Sequence, residues 1–92
     1  MIKSFGDRST ERLFGDQVVK DFESIARRAK RKLEALHAAA RLDDLRVPPS
    51  NRLEKLKGDR KAFHSIRIND QWRIVFRWMD GHAHDVAIVD YH

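Results

Sequence analysis

Three runs of alternating side chains, residues 63–68, 71–78 and 83–89, follow one another with little more than Asn69-Asp70 and Asp80-Gly81 to separate them. Alternation with a period of two marks a strand with one packed and one exposed face, and Asp-Gly is the strongest short signal for a two-residue hairpin. Residues 51–92 therefore predict an antiparallel meander, entered through a turn at Lys57-Gly58-Asp59-Arg60. In the central run Trp72, Ile74, Phe76 and Trp78 fall on one side, while Gln71, Arg73, Val75 and Arg77 fall on the other. Ile66, Ile68, Val86 and Ile88 join the apolar side. Arg67 and Arg73 share the opposite face, approached by Lys57 and Arg60 from the preceding turn, and a sheet presenting several cations suits phosphates. By periodicity Trp72 and Trp78 belong to the core, which leaves Phe63 and Tyr91 as the aromatics to offer a nucleotide base.

The remainder of the chain has to cover the apolar face. Residues 2–5 read as an edge strand, and Ser9 or Thr10 can cap a brief helix that runs to Phe14 and stops at Gly15. From Asp21, a suitable N-cap, the positions Phe22, Ile25, Ala29, Leu33, Leu36 and Ala40 recur every three or four residues and predict one long amphipathic helix. Arg27, Arg28, Lys30, Arg31 and Lys32 spread over its remaining surface, with Glu34 four residues after Lys30 as a partner. A solvated face explains them; a supporting contact with RNA or an acidic protein is the alternative. Residues 41–47 give a further helical turn, ended by Pro48-Pro49. The expected class is α+β, with N-terminal helices on one face of a mainly antiparallel sheet, in a single domain over residues 1–92.

Lysine and arginine number 19 against 14 aspartates and glutamates, a net charge of +5, and eight of the basic residues lie between Arg52 and Arg77. That balance points to an anionic partner, nucleic acid first. The absence of cysteine excludes disulfides and thiolate metal sites. Neither a signal-like apolar start nor a membrane-length apolar run is present, so a cytoplasmic location without a membrane partner is expected. Among the histidines, His37 and His64 read as structural. His82 and His84 share a strand face, yet spacing supplies no third ligand beside Asp85 or His92, so no metal and no cofactor are expected.

Several stretches carry a likeness to a known family. Asn51-Arg52-Leu53-Glu54-Lys55-Leu56-Lys57-Gly58-Asp59-Arg60, then Ser65-Ile66-Arg67-Ile68-Asn69-Asp70-Gln71-Trp72-Arg73-Ile74, the ending Val89-Asp90-Tyr91-His92 and the opening Met1-Ile2-Lys3-Ser4-Phe5 resemble the HigB toxins of the RelE superfamily. The resemblance spans essentially the full chain. It implies a compact microbial-ribonuclease-like fold and a toxin that cuts messenger RNA in the ribosomal A site. It also implies a HigA-type helix-turn-helix antitoxin, through which alone the toxin would meet operator DNA. The family's active-site positions fall on Lys57, Arg73, Asp90, Tyr91 and His92. Where some relatives place a histidine two residues before Leu-Lys-Gly-Asp-Arg, this chain has Glu54.

Cleavage by the substrate's own 2′-hydroxyl needs a base for that proton, cations for the phosphorane and an acid for the departing 5′-oxygen. His92 can serve as base or acid, and Glu54 is a second candidate base. Arg73 and Lys57 would neutralise the phosphate, with Arg60 and Arg67 as outer contacts. Tyr91 can stack on a base, and Asp90 can orient His92 or a neighbouring cation. Two alternatives use the same surface: a non-catalytic RNA- or ribosome-binding module, and a toxin of the superfamily directed at gyrase.

Overall fold

A computed structural model describes residues 1–60 and 62–91. Four strands, β1 (Glu54–Lys55), β2 (Phe63–Arg67), β3 (Trp72–Met79) and β4 (His82–Asp90), lie side by side in chain order, each antiparallel to its neighbour. The expected meander is there, together with β1, which has too few residues for alternation to announce it. At the Asp80-Gly81 hairpin both residues have positive φ, 54° and 77°, as a type I′ turn requires, and Met79 pairs directly with His82. The other hairpin is wider than Asn69-Asp70 alone. Ile68 and Asn69 both donate their amides to the Trp72 carbonyl, at 2.9 and 3.2 Å, and the Asn69 side-chain oxygen accepts from the amides of Gln71 and Trp72, each at 2.8 Å. Gln71 is therefore in the turn, and β3 begins at Trp72.

A bulge in β4 is the main departure from simple alternation. Val75 pairs with Ala87 but Arg77 pairs with His84, so one residue of β4 is extra, and Asp85 has φ of +52°. Ala83 and Val86, three apart, consequently both enter the core. The N-terminal residues run parallel to β4 and bridge Ile2 to Ala83 and Phe5 to Val86 on either side of this bulge. The Ser4 hydroxyl accepts the Asp85 amide at 2.8 Å, and a Cβ on Gly6 would lie 3.0 Å from the Asp85 carbonyl oxygen. The edge strand expected over residues 2–5 is thus reduced to two isolated bridges, one on each side of the bulge.

Helix α1 (Arg8–Phe14) is capped by Asp7, whose carboxylate accepts the Thr10 amide at 2.7 Å. Neither Ser9 nor Thr10 is the cap, because the chain is already helical from Arg8, so that the cap falls two residues before Ser9. Thr10 is fully buried, and its hydroxyl accepts the Ile88 amide at 2.9 Å, fastening α1 to β4. The long helix is shorter than its periodicity suggests. Lys20–Phe22 form a 3-10 turn, and α2 (Ala26–Ala38) begins after Ile25, which has φ −122° and ψ 1° and provides no side-chain cap. Phe22 and Ile25 are nonetheless buried, and Phe22 meets Trp72 edge-on at 5.6 Å between ring centroids. After Ala38 the Asp44 carboxylate accepts the amides of Ala40 and Arg41, each at 3.0 Å, which ends the helix before Ala40. Lys30 pairs with Asp16 at 3.1 Å rather than with Glu34, and lies 4.6 Å from the centre of the Phe14 ring.

Ala29, Leu33 and Leu36 of α2 close over Ile66, Ile74, Phe76, Val86 and Ile88 in one apolar cluster, with Trp72 and Trp78 packed at its border. Beside it the segment that leads to β1 is pinned by Asn51, which is 1% exposed. Its amide nitrogen donates to the carbonyls of Leu45 and Val47, at 3.1 and 3.3 Å, and its oxygen accepts from Lys32. Asn51→Ala is expected to destabilise the protein by about 2–3 kcal/mol, since the enclosed carbonyls lose their donor; urea denaturation measures it. Among the described residues, no helix is long and apolar enough to cross a membrane.

Candidate active site

Arg73 projects from the middle of the sheet on the face away from α2, and it is only 7% exposed. The alternation places it on that face, but the cationic surface expected there is not an open one. Arg73 Nε donates to the Ser65 hydroxyl at 2.9 Å, and one terminal nitrogen donates to the Arg52 carbonyl at 2.6 Å. Ser65 is itself fully buried. Arg52 has φ of +45° and ψ of 58° as the chain leaves the 3-10 turn Pro49–Asn51. This left-handed residue turns its carbonyl to the guanidinium, so the strain of a non-glycine residue there helps fix a cation.

The other terminal nitrogen lies 3.8 Å from Glu54 Oε1, and the Tyr91 ring centre is 5.4 Å from the guanidinium carbon. Glu54 comes from β1, Arg73 from β3 and Tyr91 from the end of β4, so three of the expected site residues converge from three strands. Glu54 and Tyr91 remain about half exposed, at 54% for the carboxylate side chain and 45% for tyrosine. The buried cation is thus rigid and its two neighbours are open to a ligand. Arg60 lies on the Tyr91 side: with Val89, Asp90 and Tyr91 it lines a shallow cavity of about 350 Å³. It also borders the adjoining depression, floored by Val75, Ala87 and Val89 and flanked by Phe63.

The remaining expected residues are placed less centrally. Lys57 is exposed on the turn after β1. Arg67 is paired with Arg73 in the strand register, yet its guanidinium is ion-paired with Asp70 and lines a groove against α2. Asp90 pairs with Trp72 in register, one position out of phase with Tyr91, and its carboxylate accepts from the Gln71 side chain at 3.0 Å. That partner, not Arg73, holds it. His92 lies outside the described residues. Ser65 and the Arg52 carbonyl are the functional groups the sequence did not reveal: a serine in an alternating strand has no distinctive signal, and a left-handed arginine has none at all. Among the described residues, no group of three histidines, aspartates or glutamates is gathered as a metal site.

The protonation of the half-buried histidines bears on stability. His64 stacks on Phe76 at 6.0 Å between centroids, and burial, then the charge of Lys55, hold its pKa below the usual 6.5. His82 is shifted the same way, by burial first and then by Lys3 and His84. A histidine whose folded pKa is depressed binds fewer protons than the unfolded chain between the two values. Its stabilisation is complete above the unfolded pKa and is lost as pH falls toward the folded one. The melting temperature is therefore expected to drop as pH is lowered below about 6.5, and His64→Gln to flatten that drop. Melting curves that do not respond to acid across this window would contradict it.

Residues 3–92 match the family described as HigB-like toxin, RelE-like toxin of type II toxin-antitoxin system HigB. The chain is 42% identical over 85 residues to "Toxin HigB-1" of Vibrio cholerae serotype O1 (strain ATCC 39315 / El Tor Inaba N16961), covering 90% of each. It is 32% identical over 93 residues to "Endoribonuclease HigB" of Proteus vulgaris, with 100% of both covered. In backbone it is similar to the crystal structure of a YafQ mutant from E. coli, with a TM-score of 0.65 at 14% identity over 98% of this chain and 91% of that one. The YoeB-YefM complex from Staphylococcus aureus has a TM-score of 0.62 at 19% identity, over 100% of this chain and 98% of that one. These likenesses agree with the α+β class and the RelE-like arrangement of helices and antiparallel sheet.

Proposed function

Because the chain belongs to the HigB-like toxins, RelE-like toxins of type II toxin–antitoxin systems, we propose that it is a ribosome-dependent endoribonuclease that cuts messenger RNA in the A site. The observation that supports this most is the convergence of Glu54, Arg73 and Tyr91 on the open side of the sheet, with Arg73 buried, fixed by Ser65 and the Arg52 carbonyl, and still directed at its two exposed neighbours. A guanidinium held this way needs no reorganisation to meet the extra charge of a phosphorane. A relative named as an endoribonuclease agrees with it.

In the proposed reaction a base, His92 or Glu54, takes the proton of the 2′-hydroxyl, and the 2′-oxygen attacks the adjacent phosphorus. Arg73, with Lys57 and Arg60 at the periphery, neutralises the pentacoordinate phosphate. The bond to the 5′-oxygen then breaks, and the leaving oxygen takes its proton from His92 where Glu54 is the base, or from the imidazolium left by the first transfer where His92 is the base. The products are a 2′,3′-cyclic phosphate and a 5′-hydroxyl, and the nucleophile comes from the substrate without a metal. Tyr91, beside Arg73, stacks on a base and aligns the nucleotide. Asp90 acts from outside this cluster, through Gln71 and the strand end. The site is shallow and half exposed, so substrate orientation has to come from elsewhere. The ribosomal A site can supply it, and orientation is worth several kcal/mol. The partner that neutralises the toxin is assigned as a HigA-type helix-turn-helix antitoxin.

End-group analysis of RNA from programmed ribosomes tests the chemistry. Cyclic phosphates and 5′-hydroxyl ends are expected; 5′-phosphate ends would overturn 2′-hydroxyl attack. DNA-damage induction without new RNA ends would assign the protein to gyrase instead.

A further inference from the structure

The open face of the sheet carries more than the Arg73 cluster. From it toward the Asp80-Gly81 hairpin extends the depression of about 330 Å³ that is floored by Val75, Ala87 and Val89, with Phe63 and Arg60 beside the floor. Gly6 and Asp85 complete the lining. Arg60 and Val89 also line the cavity at Tyr91, so the two hollows form one trough along β4. Nothing in the proposed reaction uses its far part.

Asp85 is the acidic residue of that part. Its carboxylate stays on the open face, where Oδ2 accepts Arg77 Nε at 2.7 Å, and 42% of the side chain is exposed. Among the described residues, no second donor reaches this carboxylate. The backbone that carries it has φ of +52°, a conformation uncommon for any residue with a β-carbon. Two residues from the other end of the chain secure it: the Ser4 hydroxyl accepts the Asp85 amide at 2.8 Å, and Gly6 leaves room for the Asp85 carbonyl. A half-exposed ion pair returns little stability, so the bond to Arg77 does not account for this conformation. Bulges beside active sites re-aim side chains, and strain held in place by packing marks such positions.

An apolar floor edged by an aromatic ring fits the flat face of a nucleobase, which every base has. A carboxylate at its end discriminates among bases, because it accepts only from N–H groups. Adenine and cytosine present an exocyclic amino group, and guanine presents one beside its ring N–H. Uracil places carbonyl oxygens on both sides of its single N–H, and these repel a carboxylate.

We propose that the depression is a base subsite, in which Asp85 selects an amino-bearing base over uracil in a nucleotide next to the bond being cut. Arg77 is a positioning residue that holds Oδ2 and leaves Oδ1 to the base. The inference rests on the reading of the open face as the messenger-RNA face, and adds a source of sequence preference to it. Arg73 takes the phosphate whatever the base, and Asp85 reads the edge.

The test uses the full chain with fluorescent oligo(A), oligo(C) and oligo(U) as probes. The unaltered protein is expected to bind oligo(U) about tenfold more weakly than the other two. Asp85→Asn keeps an acceptor for Arg77 and tolerates a left-handed φ, and an amide both donates and accepts. That variant is expected to bind the three alike, whereas Phe63→Leu should weaken all three and keep their order. On programmed ribosomes, Asp85→Asn should lower the ratio of cutting at A-rich to U-rich codons by about tenfold. Equal binding of the three probes by the unaltered protein, or an unchanged order in Asp85→Asn, would overturn the proposal. So would unchanged RNA binding by Phe63→Leu with weakened antitoxin binding, which would give the hollow to a protein. An Asp85-dependent preference in a protein that cuts no RNA would uphold the subsite and refute the ribonuclease reading. Cutting without that preference would do the reverse.

Discussion

Arg73→Lys is expected to fold and to cleave messenger RNA about 100- to 1,000-fold more slowly, the loss that follows removal of one preorganised donor to a developing anion. Lysine keeps the charge but loses the fork. Arg73 uses Nε for Ser65, one terminal nitrogen for the Arg52 carbonyl and presents the other between Glu54 and Tyr91. A single ammonium cannot make the first two bonds and reach the same place. Arg73→Ala is the less informative change, because it leaves the Ser65 hydroxyl and the Arg52 carbonyl without their donor at about 1–3 kcal/mol each, and lost activity would then be mixed with lost stability. Single-turnover cleavage on ribosomes, beside a thermal melt of the same preparation, separates the two. Wild-type cleavage by a folded lysine variant would remove Arg73 from the reaction.

His92→Ala is expected to leave folding intact and to abolish cleavage, a loss of about 100- to 10,000-fold for one general acid or base. Among the described residues the ladder reaches Tyr91, whose amide donates to the Gln71 carbonyl at 2.7 Å. An imidazole exchanges protons near neutral pH, as a general acid or base has to. Glu54→Gln divides the roles of base and acid. If Glu54 takes the 2′-hydroxyl proton, that variant loses the acidic limb of the pH–rate profile; if His92 does, the limb remains. Full toxicity of a folded His92→Ala protein would refute its assignment.

The meander was legible because its two signals, period-two alternation and Asp80-Gly81, are local. They placed β2, β3 and β4 to within a residue or two and sorted Ile74 and Phe76 from Arg73 and Val75. Alternation says which face a side chain takes and nothing about what covers that face. Arg73 therefore read as an exposed cation, when in fact a carbonyl 21 positions earlier and a serine on the neighbouring strand enclose it. Asp90 was grouped with Tyr91 by adjacency, although neighbours along a strand point to opposite faces. The bulge at Asp85 was hidden for the same reason: Ser4 and Gly6, from the other end of the chain, make room for it. On α2 the charge was visible but not its geometry, so Lys30 was paired with Glu34 along the helix instead of with Asp16 across the fold.

The most direct test of the central claim is a primer-extension map of messenger RNA after the purified protein is added to programmed ribosomes, with ribosome-free RNA alongside. Discrete A-site cuts on ribosomes, none on free RNA, and none with His92→Ala is the predicted result. Absence of cuts in both samples, with the protein folded and bound to ribosomes, would contradict the account and leave an RNA-binding module without catalysis.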